Sequence, residues 1–181
     1  MTIKRTDLEG ARKIPLMFNA ESMGQSLREV AVDVVPVENI HYLSRWFHSP
    51  NDIDLFIWTD EKRSIIRHQV SFYGQVVEWN VLDGVKTGFI IEQEVPDSES
   101  SETIQFDVHP QSSAVNQAMQ LLENVTELAG LERNQLIELL RSPITRKDDS
   151  VVALLEHLKS DLRQTQRPGF WKRVKRWFSG S

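Results

Sequence analysis

His48, Asn51, Asp52 and Asp54 place four groups able to move a proton or hold a small polar ligand within seven positions. A histidine beside carboxylates is minimal equipment for general acid–base work, and a carboxylate pair such as Asp52 with Asp54 serves hydrolysis when a substrate reaches between its members. The cluster follows Ser49-Pro50, so it also has the composition of a solvated turn. It is the best candidate for a ligand pocket or a small active site. The other acidic pairs, Asp60 with Glu61 and Asp148 with Asp149, read as turn and cap residues.

The five histidines do not make a metal site. His41 and His48 lie seven apart with Asp52 and Asp54 close behind, but no H-x-x-x-H, H-E-x-x-H or His/Cys spacing occurs. No metal and no cofactor is therefore expected. His68 sits between Ile66 and Val70 on an alternating segment and is expected to be a satisfied, partly buried histidine. Cysteine is absent, which removes disulfides, thiolate ligands and cysteine nucleophiles together and fits a cytosolic chain. No G-x-S-x-G elbow, G-x-x-x-x-G-K-[ST] loop or G-x-G-x-x-G fingerprint is present.

A second kind of chemistry is written at the C-terminus. Phe170, Trp171, Val174, Trp177 and Phe178 follow the spacing of one helical face, within an arc of about 120°. Lys172, Arg173, Lys175 and Arg176 occupy the other side. A helix this short is marginal alone in water and needs a surface for its apolar face. Aromatic residues beside Lys and Arg suit the headgroup boundary of an anionic membrane, or a hydrophobic groove with an acidic rim on a partner protein. The same segment could instead dock on its own chain. Residues 167–181 carry +5 and no acid, leaving −10 on the first 166 residues of a chain whose net charge is −5. So acidic a body argues against nucleic-acid binding by the main domain.

The elements that must carry these groups follow from periodicity. Val30 to Val35 is β-branched and reads as a strand stopped by Pro36. Ile40, Leu43 and Phe47 repeat at helical spacing, predicting a short amphipathic helix over 38–47. Residues 53–59 are apolar on both faces, so this strand should be central. Residues 64–73 and 76–82 alternate, 85–95 is a further strand, and Ile104, Phe106 and Val108 mark an edge strand. Gly74 and Asp83-Gly84 punctuate. Such tight spacing leaves no room for crossover helices, so neighbours should pair antiparallel.

From Ser112 the period becomes helical. Val115, Ala118, Met119, Leu122, Val125 and Leu128 predict one helix, capped by Ser112 or Ser113 and stopped at Gly130. Residues 131–141 predict a second helix, and Val151, Leu154, Leu155 and Leu158 a third.

The fold expected is α+β: an antiparallel meander of four to five strands with one short helix in residues 1–110, a helical region over 111–163, and a linker with the amphipathic tail over 164–181. The helical region would cover the sheet or serve as an oligomerisation unit; the sheet's other face would take a partner or a second copy of the chain. Nothing in residues 1–13 resembles a signal peptide, and no run approaches the length of a membrane span. The functional expectation is a non-enzymatic cytoplasmic adaptor or regulator, peripheral at the inner membrane surface if the tail binds lipid. The alternatives are a small enzyme or ligand-binding domain centred on His48, Asn51, Asp52 and Asp54, and a structural homo-oligomer assembled through residues 113–158.

Overall fold

A computed structural model describes residues 18–31, 43–93 and 101–142. Of the strand predicted over Val30 to Val35 only Val30 and Ala31 are described, Val30 ending β1, and the third helix and the amphipathic tail lie outside the described residues. Chain order is α1 (Ala20–Ser26), β1 (Arg28–Val30), β2 (Leu43–Ser49), β3 (Ile53–Thr59), β4 (Ile65–Phe72), β5 (Gln75–Asn80), β6 (Gly84–Gln93), β7 (Ser101–Phe106), α2 (Ser112–Glu123) and α3 (Gly130–Arg141). The strands form one sheet in sequence order, β1 to β7, every neighbouring pair antiparallel. The α+β class and the meander are as the periodicity implies, but the sheet has seven strands instead of four or five.

One added strand stands where the described part, 43–47, of the helix expected over 38–47 would lie. Residues 43–49 are β2, paired along their whole length with β3, from Leu43 opposite Thr59 to Ser49 opposite Ile53. The helical spacing misleads because apolar side chains of this strand lie on both faces: Phe47 on one, Trp46 on the other, both buried. A strand buried on two sides loses its clean alternation, and three apolar residues then mimic a helical repeat. The described short helix is α1, where the Asn19 side chain accepts from the Ser22 amide at 3.0 Å and caps the first turn.

The hairpins form where their sequence requires. Tyr73 and Gly74 both have positive φ, 52° and 76°, between the paired Phe72 and Gln75. Two such residues in a two-residue loop make the primed turn that matches strand twist, and glycine tolerates it without cost. Asp60 closes the β3–β4 connection by accepting from the Ser64 amide at 2.7 Å.

Register sorts the side chains onto two faces. Phe47, Leu55, Val70, Val77 and Thr87 form one transverse row, and Ile57, His68, Trp79 and Val85 the next. Above these rows lie Met23 and Leu27 of the α1 segment, Ala114, Ala118, Leu121 and Leu122 of α2, and Leu136, Ile137 and Leu140 of α3, all in one buried cluster. α2 departs from expectation at both ends. Gln111 occupies the N-cap without a side-chain bond, its amide donating to Thr87 Oγ1 at 2.9 Å. The helix stops at Glu123, and Gly130 opens α3 instead of ending α2.

Arg45 ties the helical layer to the sheet. Its guanidinium donates to Glu29 of β1 at 2.7 and 2.8 Å and to Glu132 of α3 at 2.7 and 2.9 Å, and it lies over the Phe47 ring. The Arg45 hydrogen bond holds the Glu29 carboxyl below the usual carboxylate range.

The tightest junction is between α1 and α2. A Cβ at Gly24 would meet Leu121 O at 2.5 Å and Asn124 Cβ at 2.7 Å, and backbone cannot yield as a side-chain tip can. Gly24→Ala should therefore destabilise the fold by about 1–3 kcal/mol, the usual range for overpacking, despite alanine's better helix propensity. Urea unfolding of the two proteins measures this; equal midpoints would show that α1 does not seat against α2 as described.

Candidate functional site

The sequence-selected cluster divides in the fold. His48 and Asp54 are cross-strand partners on β2 and β3, so they face each other on the side of the sheet away from the helices. Asn51 and Asp52 occupy the exposed connection between these strands. Asp52 has positive φ, 55°, and the Asn51 amide donates to Ser49 Oγ at 3.3 Å. Thus the structure brings together His48 with Asp54 and leaves the other two as turn residues, while His48 itself stands on a strand.

Asp54 Oδ1 is the hub of this site. It accepts from Trp46 Nε1 at 2.9 Å and lies 2.7 Å from His48 Nδ1. A carboxylate is an acceptor, so Nδ1 carries a proton and Nε2 faces away. An aspartate orienting a histidine in this way is the supporting half of a nucleophilic triad. The other half is misplaced. Ser71 is the next residue along the same row, opposite Asp54 on β4, so the order across the sheet is His48, Asp54, Ser71. Two strand spacings, about 9–10 Å, separate the histidine from that hydroxyl. The carboxylate stands in the middle, where a histidine would have to be to take the serine proton.

Beyond this pair, the same face carries an aromatic wall. The Trp46 ring stacks on Phe56, its cross-strand neighbour, with centroids 5.8 Å apart, and Phe56 stacks on Trp58 at 5.7 Å. Arg67 lies over Trp58 at 4.5 Å and donates to Glu78 Oε2 at 2.6 Å and Gln69 Oε1 at 3.2 Å. Asn80 completes the group by donating to Glu78 Oε1 at 3.0 Å. Arg67 Nε and Nη1 are buried and have no hydrogen-bond partner.

Arg67, Gln69 and Ser71 alternate with His68 and Val70 along β4, so they face away from the helices. Gln69 and Ser71 are in fact buried, as are Glu78 and Asn80 on the adjoining strand. One signal was available. Residues 53–59 are apolar on both faces, so whatever pairs beside them is shielded on both faces too.

His68 departs from expectation more sharply. It is fully buried among the rows beneath the helices, and neither ring nitrogen has a partner. It stacks on Trp79, its cross-strand neighbour, at 6.0 Å, and Trp79 Nε1 is also unpartnered. Burial pushes the imidazole pKa down to about 3, so at neutral pH the ring is an uncharged core side chain.

Among the described residues, no group of three or more His, Asp or Glu could hold a metal ion, and no helix is long and apolar enough to cross a membrane. Comparison with known proteins leaves the geometry to speak alone. No family model, no curated protein and no solved structure matches this chain.

Two predictions follow from the buried polar groups. Asp54→Ala removes the hydrogen bonds of Asp54 Oδ1 to Trp46 Nε1 and His48 Nδ1 and should cost about 1.5–3 kcal/mol of stability, the usual range for hydrogen bonds to a charged group; chemical denaturation reads it, and an unchanged midpoint would contradict the hub role. His68 has a folded pKa below its unfolded value of 6.5, so the unfolded chain binds the extra proton first. The stabilisation from keeping it neutral is whole above pH 6.5 and is lost as pH falls from there toward 3, by up to about 1.4 kcal/mol per pH unit. Melting curves of native protein and His68→Leu should therefore diverge in the variant's favour below pH 6.5. Parallel curves would show that His68 titrates in the fold as it does in the open chain.

Proposed function

We propose that this chain is a non-enzymatic cytoplasmic adaptor or regulatory protein, built to bind a partner protein or an anionic membrane surface. The observation that supports it best is the closure of the one described histidine–carboxylate pair. Asp54 is engaged by both Trp46 and His48, and the nearby serine lies on the wrong side of the carboxylate for proton abstraction. These residues serve the fold.

The binding element in this reading is the segment 168–178. Phe170, Trp171, Trp177 and Phe178 would supply the desolvated anchors, because large aromatic side chains concentrate binding energy. Lys172, Arg173, Lys175 and Arg176 would steer association and make it sensitive to salt. The contrast between residues 167–181, at +5, and the −10 body supports a tail that acts as a unit apart from the body. A short helix is a weak anchor by itself, so lasting attachment would come from a second contact or from more than one tail per particle.

The test compares the intact chain with one ending at Arg167. Each is sedimented with vesicles of phosphatidylcholine alone or mixed with phosphatidylserine, at low and moderate salt, and each is used as bait for partner proteins. The intact chain should bind anionic vesicles, or retain a partner that Trp171→Ala with Trp177→Ala releases. If the shortened chain performs as well in both assays, the tail is not the binding element and the proposal fails.

A further inference from the structure

We infer that the outer edge of β7 is a self-association site, and that two copies of this chain join there as one continuous antiparallel sheet. The inference rests on the edge alone and not on any role of the C-terminal tail.

The two ends of the sheet differ. At one end β1 is three residues long and bears Arg28 and Glu29, both engaged: Arg28 with the carbonyls of Gln25 and Leu27, Glu29 with Arg45. A short, charged strand is a blunted edge. At the other end β7 runs six residues and pairs with β6 from Gly88 opposite Phe106 to Gln93 opposite Ser101. No other described strand pairs with it. It contains no proline, lysine or arginine, the usual guards of an open edge.

The β6–β7 pair also outruns the sheet. β5 pairs with β6 only as far as Phe89, whereas β7 continues alongside to Gln93. Beyond Phe89 the two strands form a ribbon, and an isolated two-stranded ribbon is marginal in water. Along the whole β6–β7 pair large apolar side chains are uncovered: Phe89 is 50 % exposed, Ile91 37 % and Phe106 36 %, with Val108 at 92 % just past the strand. Most large apolar residues elsewhere in the sheet are buried, Leu43 at the start of β2 being an exception at 55 % exposed.

The occupant is argued from the edge's own sequence. An antiparallel pairing of β7 with a second β7, centred on Ile104, sets Ile104 opposite Ile104, Thr103 opposite Gln105, and Phe106 opposite Glu102. No like charges meet, and the contact is isologous and closes at two copies. Within each copy Ile90 is the cross-strand neighbour of Ile104. The junction therefore lines up Ile90, Ile104 and their two counterparts in one unbroken transverse row. It also satisfies the outward N–H and C=O groups of both edges at once.

The absence of native cysteine makes the test direct. Opposed Cα atoms across an antiparallel pair lie about 4.5–5.5 Å apart, inside the range a disulfide spans. The full-length protein should sediment as a concentration-dependent dimer. Ile104→Lys, which sets two ammonium groups against each other on the twofold axis, should sediment as a folded monomer, its fold checked by circular dichroism. Ile104→Cys should oxidise to a covalent dimer, while Leu131→Cys, at a site 88 % exposed on α3, should remain largely uncrosslinked. A native protein that stays monomeric at its solubility limit overturns the proposal. So does a dimer that Ile104→Lys leaves intact and that Ile104→Cys does not capture, because that dimer is formed elsewhere.

Discussion

A strand that is apolar on both faces has to be shielded twice, and β3 is such a strand. Ile53 to Ile57 are buried without interruption, although successive side chains point to opposite sides. Much of the architecture answers this demand. On one side α1, α2 and α3 supply Leu27, Leu121, Leu122 and Leu136, all fully buried. On the other side Trp46, Phe56 and Val76 are also buried, yet they lie outside the cluster that contains the helices. The sheet is thus buried on both faces along β3, and the two faces are chemically different.

The helical side is mostly apolar, and it buries His68 and Trp79 with their ring nitrogens unbonded. Such groups weaken a core, and burial keeps the imidazole neutral so that the loss is a missing hydrogen bond instead of a buried charge. The far side is built otherwise. A buried ion pair, Arg67 with Glu78, is held by Gln69 and Asn80 and braced against Trp58. Replacing such a pair by apolar residues often gains stability, so its presence is better understood as fixing one register of β4 against β5 than as a source of stability. A one-residue slip of β4 against β5 would turn Arg67 to the helical side, away from Glu78, and expel Val70 from that side.

The sequence made some of this legible and hid the rest for identifiable reasons. The β3–β6 meander could be read because turn chemistry at Gly74 and Asp83-Gly84 is local, and local signals survive without knowledge of the partner strands. The edge position of β7 was visible in the polar residues alternating with Ile104 and Phe106. β2 was misread because burial on both faces erases alternation, so Ile40, Leu43 and Phe47 passed for a helical repeat. Gly130 was taken for a stop because a glycine after an apolar repeat so often ends a helix, whereas here it begins one. Of the candidate site, the closeness of His48 to Asp54 was evident. That Trp46 shares the same carboxylate oxygen depends on the pairing of β2 with β3 and has no counterpart in linear spacing.

The docking of α1 on α2 has a consequence for how the chain reaches this state. The strands pair with their immediate neighbours in sequence, so each hairpin closes a short loop at little entropic cost, and the meander can grow from any turn. Gly24 against Leu121 and Asn124 is the opposite case, a contact between chain segments nearly a hundred residues apart, about as distant as the described fold contains. On a ribosome, α1 emerges first and waits for α2. Until α2 arrives, Met23 and Leu27 have no lasting cover, and the inner face of a sheet already able to form stands open to water. Synthesis thus exposes much of the apolar surface before α2 is made, and α1, made well before α2, is among the last elements to be fastened.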